Sequence, residues 1–142
     1  MAYSLSVLVQ RKALPTPSVL AGILAKAKVP LSFPEEWSWK DQSGWLPMLW
    51  RKEESGCEVE LEKLSKKEAA AAREAGYLGF DSAIVLTMRG GWDSFQSGAA
   101  FGAAIAIATG GCLTEEEGKY ISHDAALKWA KQSIAASDKG LR

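Results

Sequence analysis

Apolar and polar residues alternate at the start of the chain: Tyr3, Leu5, Val7 and Val9 fall on one side, and Ser4, Ser6 and Gln10 on the other. A period of two belongs to a strand with one buried face, so residues 3–9 are expected to open a sheet. The period then lengthens. Thr16 followed by Pro17 is a helix start, a hydroxyl cap ahead of proline at the first helical position. Val19, Leu20, Ile23, Leu24 and Ala27 form an apolar stripe at helical spacing until Pro30 stops it.

Residues 31–56 break this regularity with Pro34, Gly44, Pro47 and Gly56, yet hold four of the six tryptophans, Trp37, Trp39, Trp45 and Trp50. Short strands are expected around residues 45–50, with a hairpin through 51–56 leading into a strand over 57–64. In that strand Cys57, Val59 and Leu61 alternate with Glu58, Glu60 and Glu62, so one face belongs to the core and the other to water or a partner.

Ser65 and Glu68 have the spacing of a capping box, in which each side chain satisfies a free backbone donor of the other residue. They open an alanine-rich helix that ends at Gly76. Residues 82–88 (SAIVLTM) are apolar on both faces and predict a central strand. Asp93, with Gln96 three residues on, predicts a second capped helix reaching Thr109. Residues 112–114 and 119–122 flank an acidic turn at 115–118 as a hairpin. Ser122 then caps a last helix carrying Leu127, Ala130 and Ile134, and residues 137–142 are expected to fray.

The helix over 93–109 is built almost wholly of small residues and lies between two Gly-Gly pairs. It cannot fill space with its own side chains, so it must approach another element closely, with the 82–88 strand as the expected neighbour. The element order is strand, helix, a run of strands, helix, strand, helix, hairpin, helix. That order fits an α+β single domain over residues 1–142, with about four helices packed mainly on one face of a mixed or antiparallel sheet. A doubly wound fold would alternate strand and helix throughout.

Composition narrows the function classes. The 142 residues are 47% apolar, enough for one domain with a real core. Lys plus Arg and Asp plus Glu both number 17, so no net charge draws the chain to nucleic acid or an anionic membrane. The longest stretch free of strongly polar residues, 98–108, has 11 residues, against about 20 for a membrane span. The first residues carry no basic region and no cleavage site of a secretory signal. Cys57 and Cys112 lack CxxC partners and favour reduced thiols in a cytoplasmic setting.

No catalytic or cofactor motif stands out. Gly90-Gly91 precedes a helix as in a phosphate-cradling loop, but the Lys-Ser/Thr of such loops is missing and Asp93 would repel a phosphate. His123, the one histidine, stands beside Asp124, and a single histidine excludes the usual multi-histidine metal sites. The Gly98/Gly102 spacing is read as core packing rather than as a membrane dimerisation face. Neither cofactor nor metal is expected, and the chain reads as a non-enzyme.

Charge is uneven in one place. Residues 35–62 hold eight carboxylates (Glu35, Glu36, Asp41, Glu53, Glu54, Glu58, Glu60, Glu62) against three cations (Lys40, Arg51, Lys52), and Glu115, Glu116 and Glu117 form a second acidic group. Alternating glutamates on one strand face repel one another, while tryptophan is enriched at binding hot spots. An acidic surface with aromatic anchors suits a basic protein partner such as a nuclease, which carries Lys and Arg to hold phosphates.

The segment GFDSAIVLTMRGGWDSFQSGAAFGAAIAIATGGCLTEEEGKYISHDAALKWAKQ resembles small bacterial immunity proteins of polymorphic toxin systems, of the contact-dependent growth inhibition and type VI secretion kind. The likeness lies in a buried strand, an alanine-rich helix, the exit Thr109-Gly110-Gly111, the acidic hairpin at 115–118, and a closing helix with Trp129. It implies a cytoplasmic, non-catalytic protein that binds one toxin domain tightly. The combined expectation is an inhibitor of a cognate, basic nuclease toxin, monomeric, contacting neither nucleic acid nor membrane. Its partner-binding residues would be Trp37, Trp39, Glu53, Glu54, Glu58, Glu60 and Glu62, with Glu115, Glu116 and Glu117 as a secondary patch. The alternatives are a small enzyme or ligand-binding domain using Arg89, Asp93 and His123, and a structural homodimer.

Overall fold

A computed structural model describes residues 2–116 and 118–140. Within these residues seven strands form one antiparallel sheet: β1 (Ala2–Val9), β2 (Leu31–Ser32), β3 (Gly44–Trp50), β4 (Glu53–Lys63), β5 (Ser82–Arg89), β6 (Cys112–Glu115) and β7 (Tyr120–Ser122). Their order across the sheet is β2-β3-β4-β5-β1-β6-β7, so the first strand is inserted between the fifth and sixth. Among the described residues, four α-helices complete the fold: α1 (Pro17–Lys26), α2 (Lys66–Glu74), α3 (Trp92–Thr109) and α4 (His123–Asp138). The chain is an α+β domain. No helix of the described residues is long and apolar enough to cross a membrane.

The small-residue helix is the centre of the molecule. Every residue of α3 from Ser94 to Ala106 is buried, because the sheet lies on one side and α1, α4 and the 33–39 segment enclose the others. Glycine permits the close approach. A Cβ on Gly98 would collide with the Met88 side chain, and one on Gly102 would stand 2.9 Å from Leu5 Cδ2 and 3.1 Å from Leu86 Cδ1. The closeness extends the expected contact with β5 to β1, β3, β4 and β6 as well.

α2 takes the opposite face. With Tyr77 and Phe80 it covers Leu8, Ala83 and Cys112. The expectation of a single buried face for the first strand is therefore corrected: Leu5, Val7 and Val9 face α3, while Leu8 is buried under α2. Cys57 and Cys112 are both fully buried, in the clusters on opposite faces of the sheet, and are free thiols. Burial pushes each thiol up to about 12, with the Glu58 charge adding to the effect at Cys57.

Local signals hold where the interaction is local. Thr16 Oγ1 accepts from Val19 N at 3.3 Å. The Ser65–Glu68 box closes through Ser65 N to Glu68 Oε1 at 3.0 Å and Glu68 N to Ser65 Oγ at 3.1 Å. Val19, expected in the apolar stripe of α1, is 49% exposed, because Leu20 and Leu24 provide that helix's buried contact.

Four other expectations are corrected. The β3–β4 turn is Arg51-Lys52 alone, both residues at positive φ (52° and 69°), so Glu53–Gly56 belong to β4 rather than to a loop. Asp93 does not cap α3. Gly90 and Gly91 adopt positive φ and put the N-cap at Gly91, two residues earlier, so the helix begins at Trp92 and Asp93 lies in its first turn. Ser122 occupies the N-cap of α4 without a side-chain hydrogen bond. The tail does not fray at residue 137: Ser137 is buried, and Asp138 holds Arg51 through two hydrogen bonds of 2.8 and 3.0 Å.

Candidate protein-binding face

Along β4, side chains alternate across the sheet. Cys57 and Val59 enter the core, and Glu54, Glu58, Glu60 and Glu62 emerge on the outer face, away from α3. The antiparallel register sets Trp45 of β3 opposite Glu58, and Leu49 opposite Glu54. α2 and the 77–80 segment cover this face near Leu8, Leu64, Ala83 and Cys112, while the outer residues of β3 stay open. Trp45 is 53% exposed and Leu49 44%, with Pro47 exposed between them.

The glutamates are not equivalent. Glu58 accepts from Arg89 Nε at 2.5 Å. Glu60 accepts from the backbone N–H of Gly44 at 2.7 Å and from Ser43 Oγ, which fixes the start of β3. Among the described residues, Glu53, Glu54 and Glu62 form no ion pair. The face thus presents an apolar strip on β3 beside a β4 carboxylate row in which two members are held internally.

Trp37 and Trp39 lie elsewhere. Their rings meet edge to face at 4.9 Å and pack on Phe101 of α3, at 6.2 and 6.5 Å. Trp39 Nε1 donates to the Pro15 carbonyl at 2.7 Å. Both rings clamp the 33–43 segment to the buried helix. The tryptophan that joins the glutamates is Trp45, whose signal in the sequence was its odd-numbered place on a strand with Leu46, Met48 and Trp50 inward.

The second acidic group is separate. Glu115 accepts from Trp129 Nε1 at 2.6 Å, which ties β6 to α4 on the helix side of the sheet. Glu116 accepts from the backbone N–H of Ser4 at 2.7 Å, just beyond the point where β6 stops pairing with β1. Glu117 lies outside the described residues. Glu115 therefore does not share a face with Glu58 and its neighbours.

Arg89, Asp93 and His123 do not converge. Ser122 stands opposite Cys112, Cys112 opposite Leu8, and Leu8 opposite Ala83, six residues along β5 from Arg89. At about 3.3 Å per residue this is roughly 20 Å along the strand direction, before the lateral offset of three strands. His123 Nδ1 lies 3.3 Å from its own neighbour Asp124 and is 44% exposed. Among the described residues no group of three or more His, Cys, Asp or Glu side chains is placed to hold a metal ion.

The chain matches no protein-family model, no curated protein and no solved structure.

Proposed function

We propose that the protein is a stoichiometric inhibitor, of the immunity-protein type that its C-terminal half resembles, which binds a cognate bacterial toxin domain in the cytoplasm and covers that domain's active site or substrate groove. The observation that carries this reading is the open outer face of β3 and β4, where Trp45, Pro47 and Leu49 stand exposed beside a row of carboxylates. An exposed apolar strip with a charged border is the make-up of a protein-binding surface. Its acidity fits a partner with a basic groove, which a nuclease has by the nature of its substrate. The inhibitor works by occupancy and performs no chemistry of its own.

The test is co-expression with the cognate toxin domain, followed by calorimetry at two salt concentrations. Glu54 and Glu62 are the residues to reverse, since Glu58 and Glu60 hold Arg89 and the start of β3. Glu54→Lys with Glu62→Lys should leave the fold intact, slow association and weaken protection. Wild-type binding should weaken with salt, because exposed attraction is screened over about 10 Å at 0.1 M. Full protection by the double variant, together with salt-independent binding, would remove the acidic face from the mechanism.

A further inference from the structure

A cleft of about 720 Å³ opens where the outer face of the β3–β4 hairpin meets the turn between β5 and α3. Its walls include Trp45, Pro47 and Leu49 of β3, Glu54 of β4, and Arg89 and Asp93 of the turn. The volume lies within the range of about 300–1,000 Å³ typical of ligand sites and exceeds what a single small group would fill.

The aromatic wall is held in place. Gly56, diagonal to Trp45 across the β3–β4 ladder, has no Cβ, and one built there would stand 2.6 Å from Trp45 Cζ2 and 2.9 Å from Cε2. The indole therefore rests directly on the bare strand backbone, while about half of the residue (53%) remains open to solvent. A ring fixed before binding loses little freedom on binding.

The charge in the cleft has a sign. Arg89 is its one cation among the residues named, and Glu58 already engages it. Glu54 and Asp93 have no ion pair among the described residues. With Arg89 engaged by Glu58, Glu54 and Asp93 leave unanswered negative charge beside an open aromatic surface. Arginine suits both, since its planar guanidinium is positively charged, stacks on rings and is more weakly hydrated than an ammonium group. Pro47 and Leu49 offer apolar surface to its methylene stem and to neighbouring residues.

We propose that this cleft receives an arginine side chain from an exposed loop of the partner protein, stacked on the open surface of Trp45 and answered in charge by Glu54 and Asp93. The proposal rests on the protein-binding reading given above and specifies the partner's contact.

Nuclear magnetic resonance of the full-length, nitrogen-labelled protein tests it, with three capped hexapeptides that differ only in a central arginine, lysine or citrulline flanked by leucine and proline. The arginine peptide should shift the Trp45 indole N–H and the Gly56 amide saturably. Lysine should bind about fivefold more weakly, and citrulline, which keeps the shape and loses the charge, more weakly still. Trp45→Ala, and separately Glu54→Gln with Asp93→Asn, should each lower arginine-peptide affinity about tenfold. Arg89→Gln, which removes the internal competitor at Glu58, should raise it. Equal binding of the citrulline peptide, shifts centred outside the cleft, or no saturable shift at millimolar peptide each overturn the proposal. Toxin neutralisation that survives Trp45→Ala also overturns it while leaving the inhibitor reading intact. Arginine-selective binding in a protein that neutralises no toxin supports the cleft and removes that reading instead.

Discussion

The indole N–H of Trp50 donates to Oε1 of Gln96 across 2.6 Å, in a place where the two residues are only 4% and 3% exposed. The amide end of the same glutamine donates to Ser137 Oγ at 2.6 Å and to Asp138 Oδ1 at 2.8 Å. One buried side chain thus joins the β3–β4 hairpin, the central helix and the last turn of α4. Asp138 closes the ring by holding Arg51, whose guanidinium carbon lies 5.2 Å from the centre of the Trp50 ring.

Replacing Gln96 with leucine leaves the buried Trp50 N–H without its acceptor and the Ser137 hydroxyl without its amide donor. The expected loss is about 1–3 kcal/mol, the usual penalty for a buried donor left unpaired. Urea unfolding measures it. An unchanged midpoint would show that water or a shifted side chain takes over the bonds.

Acid should open the same junction. The hydrogen bonds from Arg51, and then from Gln96, hold the Asp138 carboxyl down at about 2, against about 3.9 in an unfolded chain. A folded-state value below the unfolded one means that the stabilisation is present above about pH 4 and disappears as pH falls toward 2. Asp138→Asn should therefore be less stable than wild type at neutral pH, and the gap should narrow between those values. Parallel stability curves through that window would contradict the assignment.

The β3–β4 turn places Arg51 and Lys52 in a left-handed conformation that glycine and asparagine ordinarily fill. Arg51 is held by its bond to Asp138 and by its N–H to the Pro30 carbonyl at 2.9 Å, whereas the Lys52 side chain makes no hydrogen bond or ion pair among the described residues. Lys52→Gly should raise stability by about 1 kcal/mol through relief of the backbone. A lower melting temperature would mean that the lysine contributes a contact outweighing the strain.

Two glycines should answer differently to alanine. A Cβ on Gly111 would collide with the carbonyl oxygen of Leu8, backbone of a strand hydrogen-bonded on both sides. At Gly102 the near atoms are the ends of Leu5, Leu86 and Leu113, which can turn aside, and a helix interior gains about 1 kcal/mol from glycine to alanine. Gly111→Ala should then lose roughly 1–3 kcal/mol and Gly102→Ala clearly less, by chemical denaturation. Equal losses would show that β1 yields as easily as a leucine side chain.

What the sequence determined by itself was mostly governed by near neighbours in the chain. The alternation over β1 and β4, the capping pair Ser65–Glu68, the proline after Thr16 and the turn at 115–118 each act within a few residues, so their elements lie close to where the pattern puts them. The small side chains of α3 likewise announced a close approach, because a helix without bulk must borrow it. Alternation also sent Glu58, Glu60 and Glu62 to one face, which Glu54 joins because β4 begins at Glu53. It did so without showing that Glu58 and Glu60 have partners 31 and 16 residues away in Arg89 and Gly44.

The tertiary structure decided which aromatic residues meet water. Trp37 and Trp45 look alike in sequence, each in a stretch rich in tryptophan and broken by proline. One packs on Phe101 of the central helix and the other stands beside Glu58 on the open face, because strand register and chain path set their positions. Asp93 and Gln96 read as a local cap, but the glycine turn moved the helix start and gave Gln96 to a long-range bond with Trp50. Short-range rules weigh a residue against the backbone beside it. A buried donor far along the chain can outweigh them, because in a place without water Trp50 has to find an acceptor.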